Sequence, residues 1–201
     1  MDVQERPSPN FGDRRGTTEP SFIVLHHTGM ETAEAALERL CDEECEVSAH
    51  YLIDREGTVH KLVDEDKRAW HAGDGTWAGQ GDINSHSIGI ELVGYHYAAI
   101  TSAQYRSVGL LIDILQRTYR LSDKAVLTHS QIAYGPPNRW FHKDHRGRKR
   151  CAKNFIRAKA SLGPSWSYDP DVSAGRLAAD PQLAVIFYAK KPRYRLVRKS
   201  S

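Results

Sequence analysis

The chain has 201 residues, 40% hydrophobic and 26% charged, the composition of an ordinary soluble protein with one domain and extensions, or at most two small domains. Its net charge of +3 gives no global electrostatic case for a nucleic-acid partner, and the basic clusters "HKDHRGRKRCAK" (142–153) and "AKKPRYRLVRKS" (189–200) read as solvated surface. No window approaches the roughly 18 apolar residues of a membrane span, and three cysteines do not make a disulfide framework.

Residues 1–20 are rich in Pro, Gly, Arg and Asp and are expected to form a flexible arm. They contain no apolar segment of the kind a secretory signal needs, so a cytoplasmic protein is expected. A non-standard export route, or release by lysis, would leave no trace in the sequence. "SFIVLHH" (21–27) reads as a buried strand, and "ETAEAALERLC" (31–41) as a helix favoured by Ala, Leu and Glu. "SAHYLIDR" (48–55) and "TVHKLV" (58–63) are strands joined at Glu56-Gly57, which predicts a hairpin. "SIGIELVG" (87–94) alternates Ile88, Ile90 and Leu92 against Ser87, Gly89, Glu91 and Val93, the period of a strand.

"TSAQ" (101–104) is a capping box, and Tyr105, Val108, Ile112, Leu115 and Tyr119 then recur at helical spacing. "KAVLTH" (124–129) is another short strand. Alternation of strands and helices, with one hairpin, predicts an α/β fold: a mixed central β-sheet with flanking helices. Past Gly163 the pattern weakens. "PSWSYDPD" (164–171) reads as a linker and "LAVIFYA" (183–189) as one added strand. The expected organisation is an arm (1–20), a domain (21–163) and an extension (164–201).

His26 and His27 end one strand, and His129 ends another. A histidine at a strand end is ordinarily a hydrogen-bonded structural residue. Glu91 is harder to dismiss, because a carboxylate inside an apolar strand is rare unless it is paired, bound to metal or catalytic. Ser87 and Gly89 share its face and leave room in front of it. Histidine, cysteine and a spare carboxylate are the requirements of catalytic zinc, with three protein ligands, an open position for water and a group to take its proton. No compact H-E-x-x-H motif is present.

The stretches "IVLHHTG", "VSAHYLIDREGTVHKLVDEDKRAWHAG", "SIGIELVG", "LTHSQIA" and "GRKRC" lie in order across residues 23–151. In these the chain resembles the zinc-dependent N-acetylmuramoyl-L-alanine amidases. That family includes peptidoglycan recognition proteins, and the nearest likeness is to bacterial enzymes that trim anhydro-muropeptides. The resemblance implies the fold of those proteins and hydrolysis of the amide between N-acetylmuramic acid, or its anhydro form, and L-alanine. It implies zinc as cofactor and muropeptide or peptidoglycan as partner. It makes His26, His129 and Cys151 the metal ligands, with His27 on the opposite face of its strand. Glu91 becomes the carboxylate that activates the water, and Lys149 the group that stabilises the oxyanion. Trp70 and His71 of "AWHAG" are placed along the substrate groove, with His50 nearby.

Two departures stand out. The stretch between the second and third ligands is longer than in many relatives, through "YGPPNRWFHKDHR" (134–146), which makes His142, Asp144 and His145 competing donors and suggests a lid carrying Trp140 and Phe141. The usual Pro after the third ligand is Ala152. Cys41 and Cys45 are expected to be ordinary reduced cysteines. A non-catalytic muropeptide-binding module is the alternative to an enzyme, since some members keep the fold after losing a ligand. A nucleic-acid binder using the basic clusters has no motif to support it.

Overall fold

The computed structural model describes residues 3–147 and 149–188. In chain order it contains β1 (Val3–Glu5), β2 (Phe11–Asp13), β3 (Phe22–His27), α1 (Ala33–Cys41), β4 (Tyr51–Ile53), β5 (Val59–Lys61), β6 (Lys67–Ala69), α2 (Ile83–His86), β7 (Ser87–Leu92), α3 (Ser102–Tyr119), β8 (Val126–Thr128), α4 (His129–Ile132), β9 (Tyr134–Gly135), β10 (His145–Arg146), α5 (Pro170–Ser173) and α6 (Pro181–Phe187). Six of these strands form one mixed sheet in the order β1-β5-β4-β7-β3-β8. β3 is parallel to both β7 and β8, β4 is parallel to β7, and β4 and β5 form the antiparallel hairpin expected around Gly57.

Strand alternation divides the core. Ile23 and Leu25 of β3, with Ile88, Ile90 and Leu92 of β7, pack against Tyr105, Val108, Leu111, Ile112 and Leu115 of α3. Burying each of those helix side chains contributes about 1.5–3 kcal/mol, which fixes α3 across this face. Its first turn carries the expected box: Thr101 Oγ1 accepts from Gln104 N at 3.0 Å, and Gln104 Oε1 accepts from Thr101 N at 3.1 Å. Val24 and Leu127 point the other way, onto Trp77, Ile83 and Ile132. His26, two residues after Val24, is on this second face.

Three expectations change. The arm is not loose over its described residues: β1 adds in parallel to β5 as the sheet's outer strand, and β2 pairs antiparallel with β6. Side chains lock it further, with Ser8 Oγ donating to Leu40 O at 2.5 Å and Asn10 Nδ2 to Val47 O at 2.9 Å. The added strand at 183–189 is instead a helix through Phe187, and residue 189 lies outside the described residues. Asp180 accepts from Gln182 N (2.9 Å) and Leu183 N (3.3 Å), and Pro181 takes the first turn. That is an N-cap signal, which a short apolar run cannot express through periodicity.

The linker at 164–171 is packed as well. Trp166 meets Trp77 edge-on at 5.8 Å, and the Asp169 carboxylate accepts from Arg146 Nε at 2.7 Å and Nη2 at 3.0 Å. The basic cluster at 189–200 lies outside the described residues.

Candidate active site

The pairing register sets the site. His26 of β3 stands beside Glu91 of β7 in adjacent parallel strands, so both side chains emerge from one face near the carboxyl ends. β8 ends at Thr128, and His129 opens α4 rather than ending the strand. Gln131 Oε1 accepts from Thr128 N at 3.0 Å, which fixes this turn. Cys151 arrives on the loop after β10, where its carbonyl accepts from Ser130 N at 3.2 Å and from the Ser130 hydroxyl.

The result is a cluster of donors. His26 Nδ1 lies 2.9 Å from His129 Nδ1, and one ligand atom from each of His26, His129 and Cys151 falls within 4.8 Å of the others. Among the described residues this is the only group of three such side chains close enough to hold a metal ion. Glu91 Oε1 is 4.0 Å from His26 Nδ1, while Glu91 Oε2 is buried with no hydrogen-bond partner among the described residues.

The electrostatics point to the same chemistry. Burial, then His129 and His71, holds the His26 imidazolium far below its usual range. Burial, then Lys149, takes His129 down to about 3. Burial raises Glu91 to about 8 and, aided by Glu91, raises the Cys151 thiol to about 12. Buried imidazoles, a thiol and a carboxyl with one unsatisfied oxygen side by side form an arrangement that a cation would relieve. The donor set of two nitrogens and one sulfur suits zinc.

His27 turns to the opposite face, as alternation requires. Its backbone N–H donates to Cys151 Sγ at 3.1 Å, and its Nδ1 accepts from Ala152 N at 3.1 Å. Ala152 has φ +57° and is fully buried. Proline, fixed near φ −65°, cannot occupy that conformation, so the departure at this position reflects a different turn.

The donors lie on the floor of a cavity of about 340 Å³ whose walls include Trp70, Glu91 and Lys149. Ser48, Arg39 and Arg150 also line it and were not singled out from the sequence. Arg150 is held from the C-terminal extension, donating to Gln182 Oε1 at 3.0 Å with Asp180 at 3.8 Å. A residue between Lys149 and Cys151 in sequence was the available signal.

Two of the residues expected near the substrate groove lie deeper than the sequence suggests. His50 is fully buried and walled off from the cavity: its Nδ1 accepts from Gly89 N at 2.9 Å and its Nε2 is 3.1 Å from Lys67 O. It ties β7 to the 67–69 segment. His71 reaches the cavity lining but is nine-tenths buried. Its Nδ1 is 3.0 Å from His26 Nε2 and its Nε2 3.3 Å from Ser87 Oγ, so its polar atoms face inward. The room left by Ser87 and Gly89 is filled by His71 itself.

The competing donors stay outside the cluster. His142 and Asp144 are exposed, and His145 stacks on Phe141 at 4.3 Å. No described residue of 134–146 lines the cavity, so the segment does not cover it in this structure. Trp140 is 66% exposed with Arg139 over its ring. The insertion is instead tied to the C-terminal extension through Arg146, Asp169 and Asp171.

Residues 16–153 match the family model for N-acetylmuramoyl-L-alanine amidase. A 1,6-anhydro-N-acetylmuramyl-L-alanine amidase from Salmonella typhimurium is 31% identical over 150 residues, covering 66% of this chain and 80% of that protein. The crystal structure of a selenomethionine AmpD derivative is similar with a TM-score of 0.61 and 31% identity, over 66% of this chain and 84% of the other. AmpDh3 from Pseudomonas aeruginosa, in complex with anhydromuramic pentapeptide, gives 0.58 and 26% identity over 81% of this chain and 69% of the other. The matched residues span the whole donor cluster, Glu91 and Lys149, and on that basis the chain belongs to the N-acetylmuramoyl-L-alanine amidase family.

Proposed function

We propose that this amidase is zinc-dependent and hydrolyses the amide between the lactyl group of N-acetylmuramic acid, or of its 1,6-anhydro form, and L-alanine. The observation that carries the reading is the convergence of His26, His129 and Cys151 beside Glu91, whose buried Oε2 has no hydrogen-bond partner among the described residues, in one cavity. The likeness to AmpDh3, whose structure holds anhydromuramic pentapeptide, supports the substrate class.

His26, His129 and Cys151 would hold the ion, the cysteine as thiolate. Zinc supplies a nucleophilic water that ionises near neutral pH and a Lewis acid for the carbonyl. Glu91 takes the proton of the attacking water and returns it to the nitrogen of L-alanine as the carbon–nitrogen bond breaks. Burial matches it to both tasks, since a carboxylate in this range accepts and releases a proton near neutral pH. Lys149, on the cavity wall, offsets the negative charge that develops on the carbonyl oxygen. Trp70 gives the substrate a flat apolar wall.

Mass spectrometry of products from a purified anhydro-muropeptide and from intact sacculi, each with and without a chelator, tests this. Chelator-sensitive release of peptide beginning at L-alanine is expected, and the preferred substrate distinguishes soluble from polymeric material. No cleavage of either by zinc-containing protein would overturn the reading in favour of a binding module.

A further inference from the structure

The chain of side chains behind His26 has a direction. Ser87 Oγ is 2.6 Å from Ile83 O. Two oxygens so close need a proton between them, and only the hydroxyl has one, so Ser87 donates to Ile83. Ser87 Oγ can then only accept from His71 Nε2, 3.3 Å away. With its Nε2 protonated, neutral His71 offers a lone pair at Nδ1, 3.0 Å from His26 Nε2. His26 Nε2 must therefore carry the proton, which leaves His26 Nδ1 as a lone pair facing His129 and Cys151.

We propose that Ile83, Ser87 and His71 form a relay that sets the tautomer and ring orientation of His26, making His71 a positioning residue for the metal and not a contact for substrate. The proposal rests on the zinc reading above. The fold reserves the space: a Cβ at Gly89 would lie 2.5 Å from His71 Cγ and 2.6 Å from its Cδ2. His50, whose Nδ1 accepts from Gly89 N, closes the other side with its ring 5.7 Å from that of His71. A glycine in β7 and two buried histidines thus serve one orientation of a third.

Two measurements test it. Nitrogen–proton correlation spectra of the histidine rings, in metal-free and zinc-loaded protein, should show both His71 and His26 protonated at Nε2. A His71 ring protonated at Nδ1 would overturn the proposal. Zinc affinity, read by competition with a chromophoric chelator, should weaken about 10–100-fold in His71→Phe. His71→Asn, whose carbonyl can accept from His26, should recover part of that loss. Ser87→Ala keeps His71 and frees its tautomer, so it provides the test if His71→Phe fails to fold; it should weaken zinc binding and mix the His71 tautomers. Zinc affinity unchanged in Ser87→Ala, and in a folded His71→Phe, overturns the relay while leaving the amidase reading intact. A wild-type protein that binds no zinc overturns the functional reading and the proposal together.

Discussion

Arg146→Met should destabilise the protein by about 3–5 kcal/mol, because it removes one partner from a buried ion cluster. Arg146 is 3% exposed, and its guanidinium makes five hydrogen bonds among the described residues: to both oxygens of Asp169, to Asp171 Oδ2, and to the carbonyls of Thr76 and Ile132. Asp169 and Asp171 are 5% and 0% exposed. Without Arg146, the partners left among the described residues are the backbone N–H groups of Asp171 and Val172 for Asp169, and Gly79 N and Arg176 for Asp171. At roughly 2–4 °C per kcal/mol for a chain of this size, the melting temperature should fall by about 6–20 °C. Methionine preserves the apolar stem, so the loss reports charge pairing and not a cavity. Arg176→Met is the internal control. Arg176 also donates to Asp171, but its side chain is 48% exposed, and solvent screening limits its contribution to about 0–1 kcal/mol. Thermal melts by circular dichroism at fixed zinc concentration read both. Equal small shifts for the two variants would refute the claim that the insertion and the extension are held by one desolvated ion cluster.

Cys151→Ser should lower zinc content while His142→Ala and His145→Ala leave it unchanged; metal analysis showing the reverse would move the third ligand into the insertion. Glu91→Gln should retain zinc and lose about 10²–10⁴-fold in kcat, measured as peptide release, because the carboxamide cannot take the proton of water. Ala152→Pro should abolish zinc binding and destabilise the loop, since φ +57° is closed to proline and the Ala152 N–H that bonds His27 would be gone. A variant that keeps zinc with wild-type affinity would show that the loop tolerates a second turn.

Where structure depends on local periodicity, the sequence was readable. β3 announces itself by its apolar run, β7 by alternation, α1 by helix-favouring residues, and α3 by helical spacing and the cap at Thr101. His26 and Glu91 were legible because a polar residue closing or interrupting an apolar strand demands a reason. The misreadings share a different cause. The arm is polar and short of apolar residues, yet it is ordered by backbone pairing to β5 and β6, which composition does not encode. The inward role of His71 depends on contacts with His26, 45 positions away, and with Ser87, 16 positions away. The helix at Pro181–Phe187 was hidden by its length, and the packed segment before it by the distance between Arg146 and its two aspartates.

The placement of β1 bears on how the molecule avoids its own kind. It lies parallel on β5, and its ladder continues through Arg6 N to Lys61 O and Ser8 N to Leu62 O, both at 2.8 Å. A version shortened past Ser8 would leave the amides and carbonyls on the outer edge of β5 unpaired, and an open ladder of that kind recruits strands from other chains. Residues 3–8 therefore act as a selvedge for the sheet, and trimming them would show first as turbidity at high concentration, well before any change in catalysis.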